Sequence, residues 1–204
     1  MLQKGFRKSV RELTSFDYVE VATGKAIACL YGGKTISGAS LVPYAFWSDT
    51  VKTTAEAGIG ATKRVDVDFD VVVERATIID GVMVVNVPLV IESIDSGAQG
   101  VKAIVKFRKW DGTTETDLAT NTSRTIAAAV GSNVTDVVAL DLTIPRTTFK
   151  VGDTMRLTIE IWNTAETGTT TDVGFGHDPK NRELYTGVET PSQLLCLMPL
   201  KVNT

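Results

Sequence analysis

The clearest pattern in the chain is the strict alternation over Arg64–Glu74 (RVDVDFDVVVE). Val65, Val67, Phe69 and Val71 fall on one side and Asp66, Asp68 and Asp70 on the other, which predicts a strand with one face on a core. The same period of two returns in Val101–Trp110, in Val137–Ile144 up to Pro145, and in Thr154–Trp162. Ile78–Ile91 is almost continuously apolar and is interrupted by Asp80-Gly81, a turn signal that divides it into two predicted strands, one deeply buried. Phe16–Thr23 and Lys25–Tyr31 flank Gly24 as a predicted hairpin, and Ser40–Trp47, holding Pro43, suits an edge strand or an irregular wall. Thr169–Gly176 is a weaker strand signal, and Gln193–Val202 closes the chain.

Between these runs, residues 50–62 are small and polar and are expected to form an exposed loop. Asp111-Gly112 marks a turn, residues 113–125 are polar, and Ala127–Val130 suits a short helix or a strand end. Helical spacing occurs once, where Leu2, Phe6, Val10 and Leu13 share one face. The expected organisation is an N-terminal arm, residues 1–15, followed by one domain, residues 16–204. The expected fold is all-β: an antiparallel, jelly-roll-like β-sandwich of about ten strands.

Composition strengthens that reading. Thr, Val and Ile number 28, 25 and 12, about a third of the 204 residues, and β-branched side chains fit a pleated sheet better than a helix. With 43% hydrophobic residues and a net charge of −3 the chain is neither disordered nor strongly polyionic. The net charge hides a division. Lys4, Arg7, Lys8 and Arg11 give residues 1–11 a charge of +4, and the remaining 17 bases and 24 acids leave −7 on the rest. Four cations are few for nucleic-acid binding, so direct nucleic-acid contact is not expected. The arm instead suits an acidic or apolar protein surface, its own or a neighbour's.

Several chemistries lack their residues. No run of 18 apolar residues predicts a membrane span, and the basic N-terminus is not followed by the apolar stretch of a secretory leader. Cys29 and Cys196 are expected to be buried free thiols in a chain made in a reducing cytoplasm, with a disulfide between them as the alternative. One histidine and no CxxC leave a zinc site without ligands. There is no GxSxG elbow, and Gly58-Ile59-Gly60 lacks the lysine of a phosphate loop. No cofactor is expected, and the chain is expected not to be an enzyme.

Three groups remain as candidate sites. The Asp66, Asp68, Asp70 column reads as a solvated face that discourages wrong strand pairing, with calcium binding or a basic partner as alternatives. The run Gly174–Arg182 (GFGHDPKNR) places His177 beside Asp178, but neighbours in sequence are not a catalytic pair. It reads first as a structured turn, in which Asp178-Pro179 restricts the backbone and Asn181 can tolerate a left-handed conformation. With Trp47 and Trp110, residues His177, Asp178 and Asn181 make a possible ligand loop, since strand-end tryptophans can stack on sugars. The third group is the arm, with Leu2, Phe6 and Val10 as apolar anchors and Lys4, Arg7, Lys8 and Arg11 as orienting charges.

The segment Thr148–Ile159 (TFKVGDTMRLTI) resembles the strand entry of the non-catalytic C-terminal β-sandwich of X-Pro dipeptidyl peptidase-type hydrolases. The Thr/Val/Gly texture also resembles small virion proteins of tailed phages, decoration or cement proteins above all. That resemblance implies a structural subunit of the virion (decoration, cement or minor capsid) that forms homo-oligomers and binds other capsid proteins through its sandwich faces and arm. The alternative is a carbohydrate- or receptor-binding sandwich of tail-fibre type.

Overall fold

In the computed structural model the described residues are 25–43, 48–57, 60–93, 99–129, 131–164, 171–185 and 190–201. The alternating runs become strands β4 (Lys63–Val72), β6 (Gln99–Trp110), β9 (Val134–Phe149) and β10 (Thr154–Asn163). The others are β1 (Lys25–Thr35), β2 (Gly38–Val42), β3 (Lys52–Glu56), β5 (Thr77–Ser93), β7 (Glu115–Thr122), β8 (Ile126–Ala128), β11 (Thr171–Gly176) and β12 (Leu195–Lys201). The fold is all-β, with twelve strands and no helix among the described residues. No helix there is long and apolar enough to cross a membrane.

The ladder runs β3-β11-β5-β12-β1-β2-β4-β10-β6-β7, with β8 on β6 and β9 on the other edge of β5. All pairs are antiparallel except β2 with β4. One hydrogen-bonded order becomes a two-layer sandwich because β1 belongs to both layers. Its first half, Lys25–Tyr31, pairs with β12, and its second half, Tyr31–Thr35, pairs with β2. At the crossover the chain must pass close to the core: a Cβ on Gly32 would lie 2.5 Å from Leu194 Cδ2 and 3.0 Å from Phe69.

Rings bridge the two layers. Phe69 of β4 meets Phe175 of β11 edge-on at 6.1 Å, and Phe107 of β6 meets Phe149 of β9 at the same distance. Val85, Val87, Leu89 and Ile91 of β5 and Val105, Leu157 and Ile159 of β6 and β10 belong to the same buried cluster.

Four expectations need correction. Asp80-Gly81 is not a turn: β5 runs straight through it, and the irregularity is absorbed as a bulge. Ile79 pairs with Thr147 and Gly81 with Ile144, so Pro145-Arg146 of β9 bulges opposite Asp80. Pro145 therefore does not end its strand, because it falls where the ladder needs no donor. Residues 52–56, expected in an exposed loop, form β3 on β11, and Ala57 behind them is fully buried. The polar run, expected to be without structure, contains β7; of the two alternatives at Ala127–Val130 the structure takes the strand, with residues 126–128 paired to β6. The arm, the predicted strand Phe16–Thr23 and Trp47 lie outside the described residues.

Candidate functional site

The two layers present very different outer faces. On β4, β10, β6 and β7 the outward side chains form a cross-strand ionic lattice. Arg156 donates from Nε to Asp70 Oδ1 and from a terminal nitrogen to Asp70 Oδ2, both at 2.8 Å, and from the other terminal nitrogen to Glu115 Oε1 at 2.8 Å. Register explains the fit, because Arg156 lies opposite Asp70 on one side and Arg108 on the other. Arg108 in turn reaches Glu115 at 3.1 Å and Asp117 at 2.8 Å. Thr158 donates to Asp68 at 2.5 Å, opposite it in the ladder. Glu160 is buried. Burial alone would raise its pKa, but hydrogen bonds from Lys106 Nζ at 2.6 Å and Trp162 Nε1 at 2.9 Å outweigh it and hold the carboxyl below its usual range. The aspartate column is thus occupied by cations and a hydroxyl of its own sheet. Among the described residues no group of three or more His, Cys, Asp or Glu could hold a metal ion.

The outer face of β1, β12 and β5 is largely apolar instead, with the Lys201–Asp80 ion pair at one end. Ile27 is 63% exposed and Val82 52% exposed. Cys29 is exposed and Leu195, Leu197, Pro199 and Val84 are half-buried beside them. The register joins these residues into one patch: Ile27 faces Pro199, and Cys29 faces Leu197, which faces Val84. Sequence reasoning missed the patch. The available signal was that Ala26–Tyr31 and Leu195–Leu200 are apolar at both odd and even positions, so both faces of these strands call for apolar neighbours.

Both cysteines are free. Cys196 is buried, and burial pushes its thiol up to about 12. Cys29 is exposed, contrary to expectation: Cys196 pairs with Leu30 and Cys29 with Leu197, so the two thiols point to opposite sides of the sheet.

The expected ligand loop divides. His177, Asp178 and Asn181 come together in one turn after β11, and Trp110 sits half-buried at the end of β6, opposite Thr154 and Glu115. His177 and Asp178 are both 0% exposed. Asp178 accepts from Arg182 Nε at 2.7 Å and from the Arg182 backbone N–H at 2.9 Å. These bonds outweigh its burial, and its pKa is lowered. Arg182 also donates to the Ser48 carbonyl at 2.7 Å, tying the turn to the entry of β3. Asn181 is left-handed, φ 55°, and its side-chain oxygen accepts from the Ser192 N–H at 2.8 Å. His177 Nε2 lies 2.9 Å from Thr53 Oγ1, between the rings of Phe69 and Phe175, and its Nδ1 is buried without a hydrogen-bond partner among the described residues. Burial pushes this imidazole down to about 4. The turn is a clamp joining β11, β12 and the segment before β3. Asn181, exposed, is the one of the three side chains here that solvent reaches.

No protein-family model matches the chain, and no curated protein matches its sequence. Solved structures do match. An aminopeptidase from a marine sediment archaeon of the Thaumarchaeota aligns at 7% identity and TM-score 0.59, over 88% of this chain and 37% of that one. A CocE/NonD family hydrolase from Staphylococcus aureus aligns at 12% identity and TM-score 0.53, over 86% of this chain and 37% of that one. The VP2 protein of infectious bursal disease virus aligns at 9% identity over 86% of this chain and 39% of that one, with a TM-score of 0.36, too low to carry an argument. The chain thus spans little more than a third of the length of these proteins, and what it shares with the two hydrolases is the fold. The expectation that this chain is not an enzyme is corrected accordingly: the sandwich it forms is one that hydrolases contain.

Proposed function

We propose that the chain is an assembly subunit of a virion shell, a decoration, cement or minor capsid protein that binds copies of itself and other capsid proteins. The observation that carries this reading is the contrast between the outer faces. The lattice on β4, β10, β6 and β7 satisfies its own charges, whereas the patch on β1, β12 and β5 leaves Ile27 63% and Val82 52% exposed. A contiguous apolar patch on a face otherwise free to be polar marks an interaction surface. The texture shared with tailed-phage virion proteins supports the choice of particle. The arm, residues 1–15, supplies Leu2, Phe6 and Val10 as anchors, and Lys4, Arg7, Lys8 and Arg11 complement a body, residues 16–204, of charge −6. Deleting residues 1–13 leaves a folded sandwich with unchanged far-ultraviolet dichroism and abolishes self-association measured by light scattering. Unchanged association of the truncated chain overturns the reading.

A second reading has its own support. Two hydrolases share the fold at TM-scores above 0.5, and residues 148–159 resemble the strand entry of a hydrolase sandwich. On this reading the chain is the sandwich component of a hydrolase. Turnover of chromogenic esters or aminoacyl anilides by the purified chain, or by the chain with a co-purifying protein, favours it over the first.

A further inference from the structure

We propose that the apolar patch on β1, β12 and β5 seats the N-terminal arm, residues 1–13, of a second copy of this chain. The inference rests on the assembly reading and adds to it the surface on which the arm binds.

The patch has the dimensions and chemistry of a helix seat. Its three strands lie about 4.8 Å apart, which makes a strip roughly 10 Å wide, close to the diameter of one helix. Its side chains alternate with buried ones: Ile27 with Ala26, Leu197 with Cys196 and Met198, and Val82 and Val84 with Met83 and Val85. The patch is therefore the outer face of strands whose inner face already fills the core. Leu2, Phe6, Val10 and Leu13 are spaced to lie along one helical stripe. A stripe of that kind docks by placing residues at i, i+4, i+8 and i+11 into an apolar groove.

Charge and connection agree with the seat. Lys4, Arg7, Lys8 and Arg11 flank the stripe, and exposed Asp141 of β9 lies opposite Val84 at the rim of the patch. Residues 1–24 enter at Lys25, the first residue of β1 and the border strand of the patch. Residues 14–24 separate arm from strand, and eleven residues span at most about 35 Å. The patch is roughly half that length, so the connection is long enough to set residues 1–13 on the patch of a neighbour. Exchange of arms joins copies without any change in the sandwich.

The native thiol of Cys29, on the patch, makes the test direct. In the full chain, Phe6→Cys brings a thiol onto the apolar stripe, and mild oxidation with diamide should link position 6 to Cys29 of another copy. Non-reducing electrophoresis and peptide mass mapping should show a covalent dimer through that bond. An intrachain 6–29 link, or a dimer joined elsewhere, overturns the proposal. Ile27→Glu and Val82→Glu, both at exposed positions, should abolish the crosslink and the self-association while the sandwich stays folded by circular dichroism. If arm deletion abolishes association and both glutamate variants still associate, the arm docks elsewhere: this inference fails and the assembly reading survives. If arm deletion itself has no effect, both fail.

Discussion

Arg156 grips Asp70 through two N–H···O bonds of 2.8 Å each, across the β10–β4 ladder, and extends the same guanidinium to Glu115 on the far side of β6. Bonds to Asp70 raise the Arg156 pKa further above its already high range. Asp66, Asp68, Asp70, Glu115 and Asp117 would otherwise repel one another across four strands.

Arg156→Met should therefore destabilise the sandwich by about 1–2 kcal/mol. That is more than an isolated surface pair is worth, because the planar fork is shared by carboxylates on two strands. Arg156→Lys keeps the charge and loses the fork, and should recover about half of that loss. Urea unfolding at low and high salt checks both. The difference between wild type and Arg156→Met should shrink in high salt, as expected of a half-exposed network.

How much of this was legible depended on whether one strand face was polar. β4, β6 and β10 alternate cleanly because their outer faces carry the lattice, and their positions followed from the period of two. The lattice itself was not legible, since pairing Asp70 with Arg156 needs a register between residues 86 positions apart. At Asp80-Gly81 the local sequence is a turn signal that predicts a break in β5. In the fold the ladder on both sides overrides it, with Pro145 bulging on β9 and Pro199 of β12 so near that a Cβ on Gly81 would lie 3.6 Å from it. β3 was missed because KTTAE has no apolar side. It is a strand because the edge of β11 pairs with it, a tertiary cause that local pattern does not contain. The clamp around His177 is legible as a turn, but its depth is not: burial comes from Phe69 and Thr53, both distant in sequence, together with the nearby Phe175.

The close pairing of β3 with β11 predicts a severe effect at Gly174. A Cβ there would stand 2.0 Å from the Thr53 carbonyl oxygen and 2.8 Å from Thr54 Cα, both backbone atoms that cannot turn aside. Gly174→Ala should force β3 off its partner and cost about 2–4 kcal/mol, the range for overpacking with loss of ladder bonds. Amide exchange should show protection lost first in residues 52–56.

Gly32→Ala should be milder. Its Cβ would meet Leu194 Cδ2 at 2.5 Å, the end of a side chain that can change rotamer, but Leu194 is fully buried and has little room. A loss of about 1–2 kcal/mol is expected. The double variant Gly32→Ala, Leu194→Val should recover part of it, which thermal denaturation can measure.

His177 gives the fold a pH dependence of known sign. The chain has one histidine, so its imidazole resonance is identifiable without assignment. Desolvation is the largest cause of its lowered pKa, with Lys34 acting in the same direction, and the ring should titrate near pH 4 in the folded protein. In the unfolded chain it titrates near 6.5. Between those values the unfolded state binds more protons than the folded state, so stability is fully present above pH 6.5 and is lost as the pH falls towards 4. The loss from this residue is on the order of 3 kcal/mol. His177→Phe should remove that slope between pH 6.5 and 4, with the loss of the Thr53 hydrogen bond appearing as a pH-independent cost. Parallel urea titrations of both proteins over this range test the assignment, and an unchanged slope in His177→Phe would place the pH dependence elsewhere.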